Sequence, residues 1–410
     1  MRSDRMPGNR IAIIGAGPIG LEAAAFARLR NFDVVVFDCG SVAANVRSWG
    51  HVRLFSPFGL NSSEWSRAVL SEATLPANDV LLTGAEFFEQ YLLPLSRHPL
   101  LEGCLRENVR VVTVGKRDFW KGDAIGKRSR LESPFQLLIE TAASGEEMVP
   151  ADFVLDCSGT FGNHNWLGSG GVPAIGERQL ASRIDYGVPD LVGKDRHRFA
   201  GKRVLVVGSG YSAATAVVAL GEMFDQNSTT DVFWVTRKAS ETPLPAIADD
   251  VLEGRVALTA AANDLASDPD SRVTWLAATT IQQLAVAENG DLLASIETRS
   301  ASRELVCKVL TVDSVIANVG YHPDQSLYEE LQIHQCYASQ GPMKLAAALM
   351  SETSADCMAQ SNPGADSLRN PEPGFFILGA KSYGRNSRFL LRIGLEQIRS
   401  VFGLIAAEVK

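Results

Sequence analysis

The chain lacks a cysteine pair. Its six cysteines, Cys39, Cys104, Cys157, Cys307, Cys336 and Cys357, form no C-x-x-C motif and no zinc spacing, so neither a dithiol redox motif nor a metal site is expected. They read as reduced, mostly structural thiols. No apolar run reaches the roughly 18 residues of a membrane-spanning helix, and the N-terminal MRSDRMPGNR leads into a strand instead of the apolar region of a signal peptide. There is no basic run and the net charge is −8, which argues against nucleic acid or a membrane surface as partner. A cytoplasmic location is the default expectation. With 410 residues, 46% of them hydrophobic, the chain can bury more than one core, and about 100–200 residues per domain suggests two or three domains.

What the chain does have is two glycine-rich fingerprints, Gly15-Ala-Gly17-Pro18-Ile19-Gly20 and Gly208-Ser-Gly210-Tyr211-Ser212-Ala213, each directly after a β-branched run. A fingerprint alone is weak evidence. It gains weight from a preceding strand, a following helix and a charged residue ending the next strand. The first copy has Ile11–Ile14 as a strand, Leu21–Arg30 as a helix and Val34–Phe37 as the next strand, ended by Asp38. Gly15 allows a tight turn, Gly17 lets the backbone approach a pyrophosphate, and Gly20 lets helix and strand pack closely. The helix N-terminus favours the anion, and Asp38 would accept hydrogen bonds from a ribose diol.

The second copy has the strand Arg203–Val207 and the next strand Val232–Thr236, followed by Arg237-Lys238 with no carboxylate. An acid there would repel a 2′-phosphate, whereas Arg237 can hold it by bidentate charged hydrogen bonds. NADPH is therefore favoured over NADH. Two such sites in one chain point to an enzyme that moves electrons between two cofactors.

The rest of the chain repeats the same plan. Phe135–Glu140 and Ala151–Gly159 follow the first fingerprint unit, and Leu293–Thr298 and Val312–Gly320 follow the second. The crossing Asn165–Ala200, rich in Gly, Pro and Ser, reads as a linker. After Gly320 too little chain remains for a third domain. Phe375–Gly379 reads as one more buried strand and Phe389–Glu408 as a helix. The expected organisation is 1–195 and 321–410 as one domain, with 196–320 inserted into it.

The two fingerprints, the Ser158-Gly159-Thr160 turn, the Ala317–Asp324 segment and the final glycine-ended strand resemble the two-dinucleotide-binding-domain flavoproteins over nearly the whole chain. That superfamily includes thioredoxin and glutathione reductases, flavin-containing and Baeyer–Villiger monooxygenases and amine N-hydroxylases. The resemblance implies an α/β fold of two Rossmann-like three-layer domains, with an NADPH domain inserted into an FAD domain. It implies FAD contacts at Gly15, Gly17, Pro18, Ile19, Gly20, Asp38, Trp49, Ser158, Gly159, Gly379 and Ala380. It implies NADPH contacts at Gly208, Gly210, Tyr211, Ser212, Ala213 and Arg237, and Gly320 joins the cofactor-binding set. One departure concerns Gly379-Ala380, where the family often has Gly-Asp with the Asp holding the ribityl chain.

Disulfide reductases need two sulfurs beside the flavin, and Cys157 stands alone. The monooxygenase-like branch fits better. Arg47–Pro57, with Trp49, resembles the segment that passes over the flavin in flavin-containing monooxygenases, and Phe161–Trp166 is a blurred form of their Phe-Gly-His signature. In that branch NADPH reduces FAD, O₂ adds at flavin C4a, and the hydroperoxide oxygenates a small polar substrate. Candidate pocket residues are His51, Arg53 and Asn61 from the Trp49 segment, and Lys381, Tyr383, Arg385, Asn386 and Arg388 from the loop after Gly379. His164 reads as structural. The alternatives are an NADPH-dependent reductase or dehydrogenase serving a non-oxygen acceptor, and a nucleotide-sensing flavoprotein without turnover. A homo-oligomer is compatible with all three.

Overall fold

The computed structural model describes residues 9–224, 229–300, 302–351 and 363–409; Cys357 lies outside them. The chain divides into two units, Met1–Asn163 with His322–Lys410, and His164–Tyr321.

In the first unit a five-stranded parallel sheet has the spatial order Phe375–Ile377, Phe153–Asp156, Arg10–Ile14, Asp33–Phe37, Leu105–Arg106. Apart from the half-buried edge pair Leu105–Arg106, the strands are short, mostly apolar runs buried on both faces, as a covered parallel sheet requires. Their period of two sorts the side chains. Ile11 and Ile13 face a core built with the fingerprint helix Pro18–Arg28 and the closing helix Leu391–Val409. Ala12 and Ile14 face a second core made with an antiparallel three-stranded sheet, Val109–Lys116, Phe135–Thr141 and Gly145–Ala151. Helix, parallel sheet and antiparallel sheet form three layers.

The second unit repeats this plan. Its parallel sheet runs Val273–Leu276, Asp231–Val235, Arg203–Val207, Ser314–Ala317, Ile184–Asp185. Helix Tyr211–Gly221 lies over one face of that sheet, beside Glu253–Ser267. The antiparallel sheet Thr279–Val286, Leu292–Arg299, Leu305–Val312 covers the other. The chain has the α/β fold of two Rossmann-like three-layer units, one interrupting the other.

The domain boundary differs from the expected 195/196: it falls between Asn163 and His164. The Gly- and Pro-rich crossing is part of the second unit. Glu177, fully buried, accepts hydrogen bonds from the backbone N–H groups of Leu167 and Ala174 and from the Tyr186 hydroxyl. Ile184–Asp185 then adds an edge strand. Composition suggested a solvated linker because a single buried carboxylate, capable of ordering three chain segments, leaves no mark on composition. Between Thr83 and Ser96 the helix is broken into Gly84–Phe87, a π-helical turn Phe88–Leu92, and Leu93–Ser96. The fingerprint helix ends at Arg28, two residues short of Arg30.

Two buried ionic arrangements brace the first unit. Arg130 and Glu372 form a fully buried bidentate pair, and Arg130 also donates to the carbonyls of Trp120 and Asp123. On the fingerprint helix, Glu22 is 1% exposed and accepts from Ser63 N and Oγ, Ser66 Oγ and the Tyr91 hydroxyl of the π-helical turn. Burial outweighs these donors and raises the Glu22 carboxyl above its ordinary value of 4.5. The folded chain therefore holds the Glu22 proton more tightly than the unfolded chain, and the associated stability is lost as pH rises from the ordinary value through the raised one. Glu22→Gln keeps an acceptor oxygen without the charge. Urea melts from pH 4 upward should show the variant gaining stability relative to wild type as pH rises; a difference independent of pH would contradict this account.

Candidate functional site

Each unit carries its fingerprint turn at the carboxyl ends of its parallel strands, and the two turns are built alike. Gly15 N donates to Phe37 O at 2.7 Å, and Gly208 N to Val235 O at 3.0 Å, tying each turn to the neighbouring strand. Both glycines have positive φ, +98° and +139°. A Cβ on Gly15 would lie 2.7 Å from the Cys157 carbonyl oxygen, and one on Gly208 would lie 2.2 Å from that of Asn318. The last residues of each closing turn, Gly159 and Gly320, are also left-handed, at +71° and +82°. The Cys157-Ser158-Gly159 and Asn318-Val319-Gly320 turns are therefore structural counterparts.

The remaining fingerprint positions separate by function. A Cβ on Gly20 would stand 1.9 Å from the Gly15 carbonyl oxygen, so this glycine is needed by the fold itself. Gly17 and Gly210 have nothing within 4 Å of such a Cβ, and their φ values of −76° and −103° suit any residue. Nothing in the fold demands glycine there; a ligand lying against the backbone would. Gly17 and Gly210 are also the N-caps of their helices, with no side-chain cap and no acid in the first turn. Pro18 takes the first helical position, where a missing N–H costs nothing. The free N–H groups and the helix dipole suit an anion, so both turns fit the pyrophosphate of a dinucleotide. In the second copy Ala213 is fully buried, Tyr211 half-buried and Ser212 exposed. Trp234, completely buried beneath the turn, donates from Nε1 to Gly208 O at 2.8 Å.

Asp38 ends the second strand but is already engaged. Its Oδ2 accepts from Ala16 N at 2.7 Å and its Oδ1 from Gly40 N at 2.8 Å. The carboxylate stitches the fingerprint to the following turn, and each oxygen keeps a second lone pair for a diol. Arg237 and Lys238 are both exposed, and among the described residues no side-chain partner of Arg237 is seen.

Several candidates after Gly379 are not in a solvated loop. Gly379–Tyr383 is a 3₁₀ turn in which Gly379, Lys381, Ser382 and Tyr383 are buried. Lys381 Nζ lies 2.6 Å from Asp156 Oδ2, both side chains essentially inaccessible, and donates to Ser158 Oγ at 3.0 Å. Ser158 Oγ in turn donates to Asp156 Oδ1 at 2.6 Å. Lys381 is thus the counter-charge of a buried aspartate and holds the turn against which Gly15 packs, which corrects its reading as a pocket cation. Tyr383 packs edge-on against Phe389 in the core. Arg385 is exposed and donates to Gln340 Oε1, and Asn386 Oδ1 accepts from Arg388 N. Ala380 is half-buried beside them.

Gln397, on the closing helix and 1% exposed, was not foreseen. Its Oε1 accepts from Gly379 N at 2.9 Å and its Nε2 donates to Ser382 Oγ at 2.9 Å. A lone polar residue facing inward on an otherwise apolar helix face is the only signal the sequence offers. Through Gln397 and the packing of Gly379 and Gly394 onto Ile19, the final strand and helix are joined to the first fingerprint.

The Trp49 segment is divided. The Trp49 ring lies against Gly84, where a Cβ would come within 2.7 Å of it, and its Nε1 is buried with no hydrogen-bond partner among the described residues. Such an orphaned donor costs about 1–3 kcal/mol, and a flavin carbonyl or ring nitrogen is an acceptor of the kind it lacks. His51 is half-buried nearby in sequence. Arg53 is a surface residue that donates to Leu81 O and lies 4.0 Å from Glu86. Asn61 is 3% exposed and exchanges hydrogen bonds with the Ser56 hydroxyl and carbonyl, both at 2.8 Å; that makes it a brace of its own turn and corrects its reading as a donor in a pocket.

Cys157 is a buried thiol, and burial together with the Asp156 carboxylate pushes its pKa well up, against a smaller opposing effect of Lys381. In the second unit His164 stacks on Tyr186 with centroids 3.4 Å apart and meets Trp166 edge-on, a structural cluster further fixed by Tyr321 donating to Tyr186 O.

No family model matches the chain. A ferredoxin–NADP reductase of Streptococcus equi subsp. zooepidemicus is 28% identical over 211 residues, 51% of this chain and 50% of that protein, so the chain spans about half the length of the curated relative it matches. Among solved structures, the bacillithiol disulfide reductase Bdr (YpdA) from Bacillus cereus aligns with a TM-score of 0.65 at 17% identity, covering 97% of this chain and 99% of that one. The FAD-bound cadaverine monooxygenase DfoA of the desferrioxamine biosynthetic pathway, from Erwinia amylovora, aligns with a TM-score of 0.66 at 15% identity, covering 98% and 95%. The fold is that of the two-domain FAD- and NAD(P)-binding flavoproteins. At these identities the likeness shows the fold and not the reaction.

The contrast between the glycines gives a direct test. Gly20→Ala should prevent stable folding. Gly17→Ala and Gly210→Ala should melt with wild-type cooperativity and temperature as ligand-free protein, yet weaken binding of FAD and NADPH respectively when titrated by fluorescence or calorimetry. Unchanged affinity in both variants would remove the two turns from the ligand site.

Proposed function

We propose that the chain is an FAD-dependent, NADPH-consuming monooxygenase of the cytoplasm that oxygenates a small polar substrate with O₂. The observation that carries the two-cofactor part is the pair of turns in which Gly17 and Gly210 stand open while their partners Gly20 and Gly208 are sterically required. The first unit, with Asp38 in reach of a ribose, is assigned to FAD, and the second, with exposed Arg237, to NADPH. Trp49 Nε1, Ser158, Gly159 and the Gly379-Ala380 turn would line the flavin, and Tyr211, Ser212 and Gly320 the nicotinamide nucleotide.

A bound flavin would supply hydride acceptance from NADPH and activation of O₂; the protein's part is to bind, orient and exclude water. Lys381 and Asp156 hold the Ser158 turn through their buried ion pair and its hydrogen bonds to Ser158. Gln397 fixes the Gly379 turn at the start of the closing helix. Of the candidates from the Trp49 segment, His51 is the half-buried one that remains, since Arg53 lies at the surface and Asn61 is committed to Ser56. Against disulfide reduction stands Cys157: the nucleophile in that chemistry is a thiolate, and this thiol is buried and resists ionisation.

A second reading, an NADPH-dependent reductase passing electrons to a non-oxygen acceptor, is favoured by the similarity to the ferredoxin–NADP reductase. Rapid mixing of the NADPH-reduced enzyme with O₂ separates the two. A long-lived absorbance distinct from oxidised and reduced flavin, with ¹⁸O from ¹⁸O₂ appearing in a product from a panel of amines, thioethers and ketones, is expected. Efficient anaerobic turnover with artificial acceptors and no ¹⁸O incorporation would establish the second reading instead. In either case Arg237→Ala should weaken NADPH binding by roughly 1.5–3 kcal/mol, the worth of a charged hydrogen bond, and leave NADH unaffected. An unchanged ratio of the two dissociation constants would reassign the 2′-phosphate contact.

A further inference from the structure

The antiparallel sheet of the second unit ends in the strand Leu305–Val312, and no strand or bridge among the described residues pairs with its outer side. An unpaired edge is normally blunted by a bulge, a proline or inward-pointing charge. This strand has no bulge and no proline, and its single charge, Lys308, is exposed: its pairing with Leu292–Arg299 runs through eight residues without a register shift. Its first five residues are exposed on both faces, with Leu305 at 54%, Val306 at 42% and Val309 at 61%. By contrast, the strand at the opposite edge of the same sheet, Thr279–Val286, carries a register irregularity between Ile281 and Gln283.

Ser300 N donates to Glu304 O at 2.9 Å. Alternation along an antiparallel ladder then turns the backbone groups of the even-numbered residues inward, and those of Leu305, Cys307 and Val309 outward. Those outward N–H and C=O groups are complementary to any antiparallel strand, including the same strand of a second molecule. A two-fold axis normal to the sheet pairs residues whose numbers have a constant even sum. One such register, centred on Val306, sets Glu304 of each copy opposite Lys308 of the other, Leu305 opposite Cys307, and Val306 opposite itself. The next register, centred on Cys307, sets Lys308 opposite Val306 and forms no charge pair, and the one centred on Lys308 would oppose two lysines. Neither Glu304 nor Lys308 has an ion-pair partner among the described residues.

We propose that the chain forms a two-fold dimer by antiparallel pairing of Leu305–Val309 edges in the Val306-centred register, extending two three-stranded sheets into one of six strands. A second copy is the occupant that the charges specify, because among these registers the Val306-centred one alone sets opposite charges, Glu304 and Lys308, across the axis twice. The pairing satisfies the outward backbone groups and covers Leu305, Val306 and Val309.

Sedimentation equilibrium of the full chain tests this. Wild type should show a reversible monomer–dimer equilibrium. Lys308→Glu and Glu304→Lys each create two like-charge pairs across the axis and should raise the dimer dissociation constant about tenfold, from a cost of up to about 1 kcal/mol per pair. An equimolar mixture of the two single variants should form heterodimers, and the double variant Glu304→Lys/Lys308→Glu should return to the wild-type constant. Thermal melts taken at concentrations low enough for every protein to be monomeric should match wild type, because both side chains are exposed. A wild type that stays monomeric at high micromolar concentration would overturn the proposal. So would a dimer indifferent to the single charges, or one that the double variant fails to restore.

Discussion

The contact on which both units depend is the approach of a glycine backbone to a carbonyl oxygen: Gly15 to Cys157, and Gly208 to Asn318. Each brings the end of the strand before the fingerprint against the turn that ends another parallel strand, at distances no side chain permits. Fixing that approach fixes where the helix starts, because Gly17 and Gly210 follow two residues later and cap their helices without a side chain. The unpaired N–H groups that result are the chemistry of the site, and they are a consequence of the packing. A Cβ at Gly15 or Gly208 would therefore disturb strand, turn and helix start together, whereas one at Gly17 or Gly210 would disturb only what lies against them.

The two units differ in the charge buried at the closing turn. Asp156 precedes Cys157 and is balanced by Lys381 from the far end of the chain; the equivalent position of the second unit is Ala317, fully buried and apolar. Arg130 and Glu372 similarly join an excursion near residue 120 to the returning C-terminal segment. Pairs of this kind contribute little net stability, but losing one partner leaves an uncompensated charge that costs about 3–5 kcal/mol. Their effect here is topological. A unit interrupted by some 160 residues of another (His164–Tyr321) must find its returning segment, and each ionic pair is satisfied only when that segment is in place. The Gln397 bridge to Gly379 does the same with a neutral group.

The strands and the fingerprint helices were legible in the sequence because their signals are local: β-branched runs of four or five residues, glycines at fixed offsets, an apolar helix without Gly or Pro. The repeat of two three-layer units followed from the same signals read twice. The inward partners were not legible. Glu177 in a Gly- and Pro-rich stretch, Glu22 on the fingerprint helix and Lys381 in a run of cations all look like solvated charges, since sequence alone does not reveal that a partner arrives from elsewhere in the fold. The misplaced boundary at 195/196 and the reading of Lys381 as a pocket cation share that cause. Asp38 is an intermediate case: its position at the strand end was foreseen, but not its hydrogen bonds to Ala16 and Gly40, which make it part of the turn before any ligand is present.

That prior engagement bears on how differently the two turns would treat their ligands. Asp38 is held by two backbone N–H groups, so its orientation toward a ribose is set in advance and little conformational entropy is lost when a diol binds. Arg237 is a long, exposed side chain without a fixed partner among the described residues, and ordering it on a 2′-phosphate costs rotamer freedom of up to about 2 kcal/mol. The first turn is additionally closed by Ile19, Gly379 and Gly394 packing together from both ends of the chain, whereas the described residues show no comparable closure over the second. A pre-organised, doubly anchored site suits a cofactor that stays, and a site with an unordered cation suits one that exchanges. The asymmetry of the proposed FAD and NADPH sites thus has a basis in how rigidly each acid or base is already held.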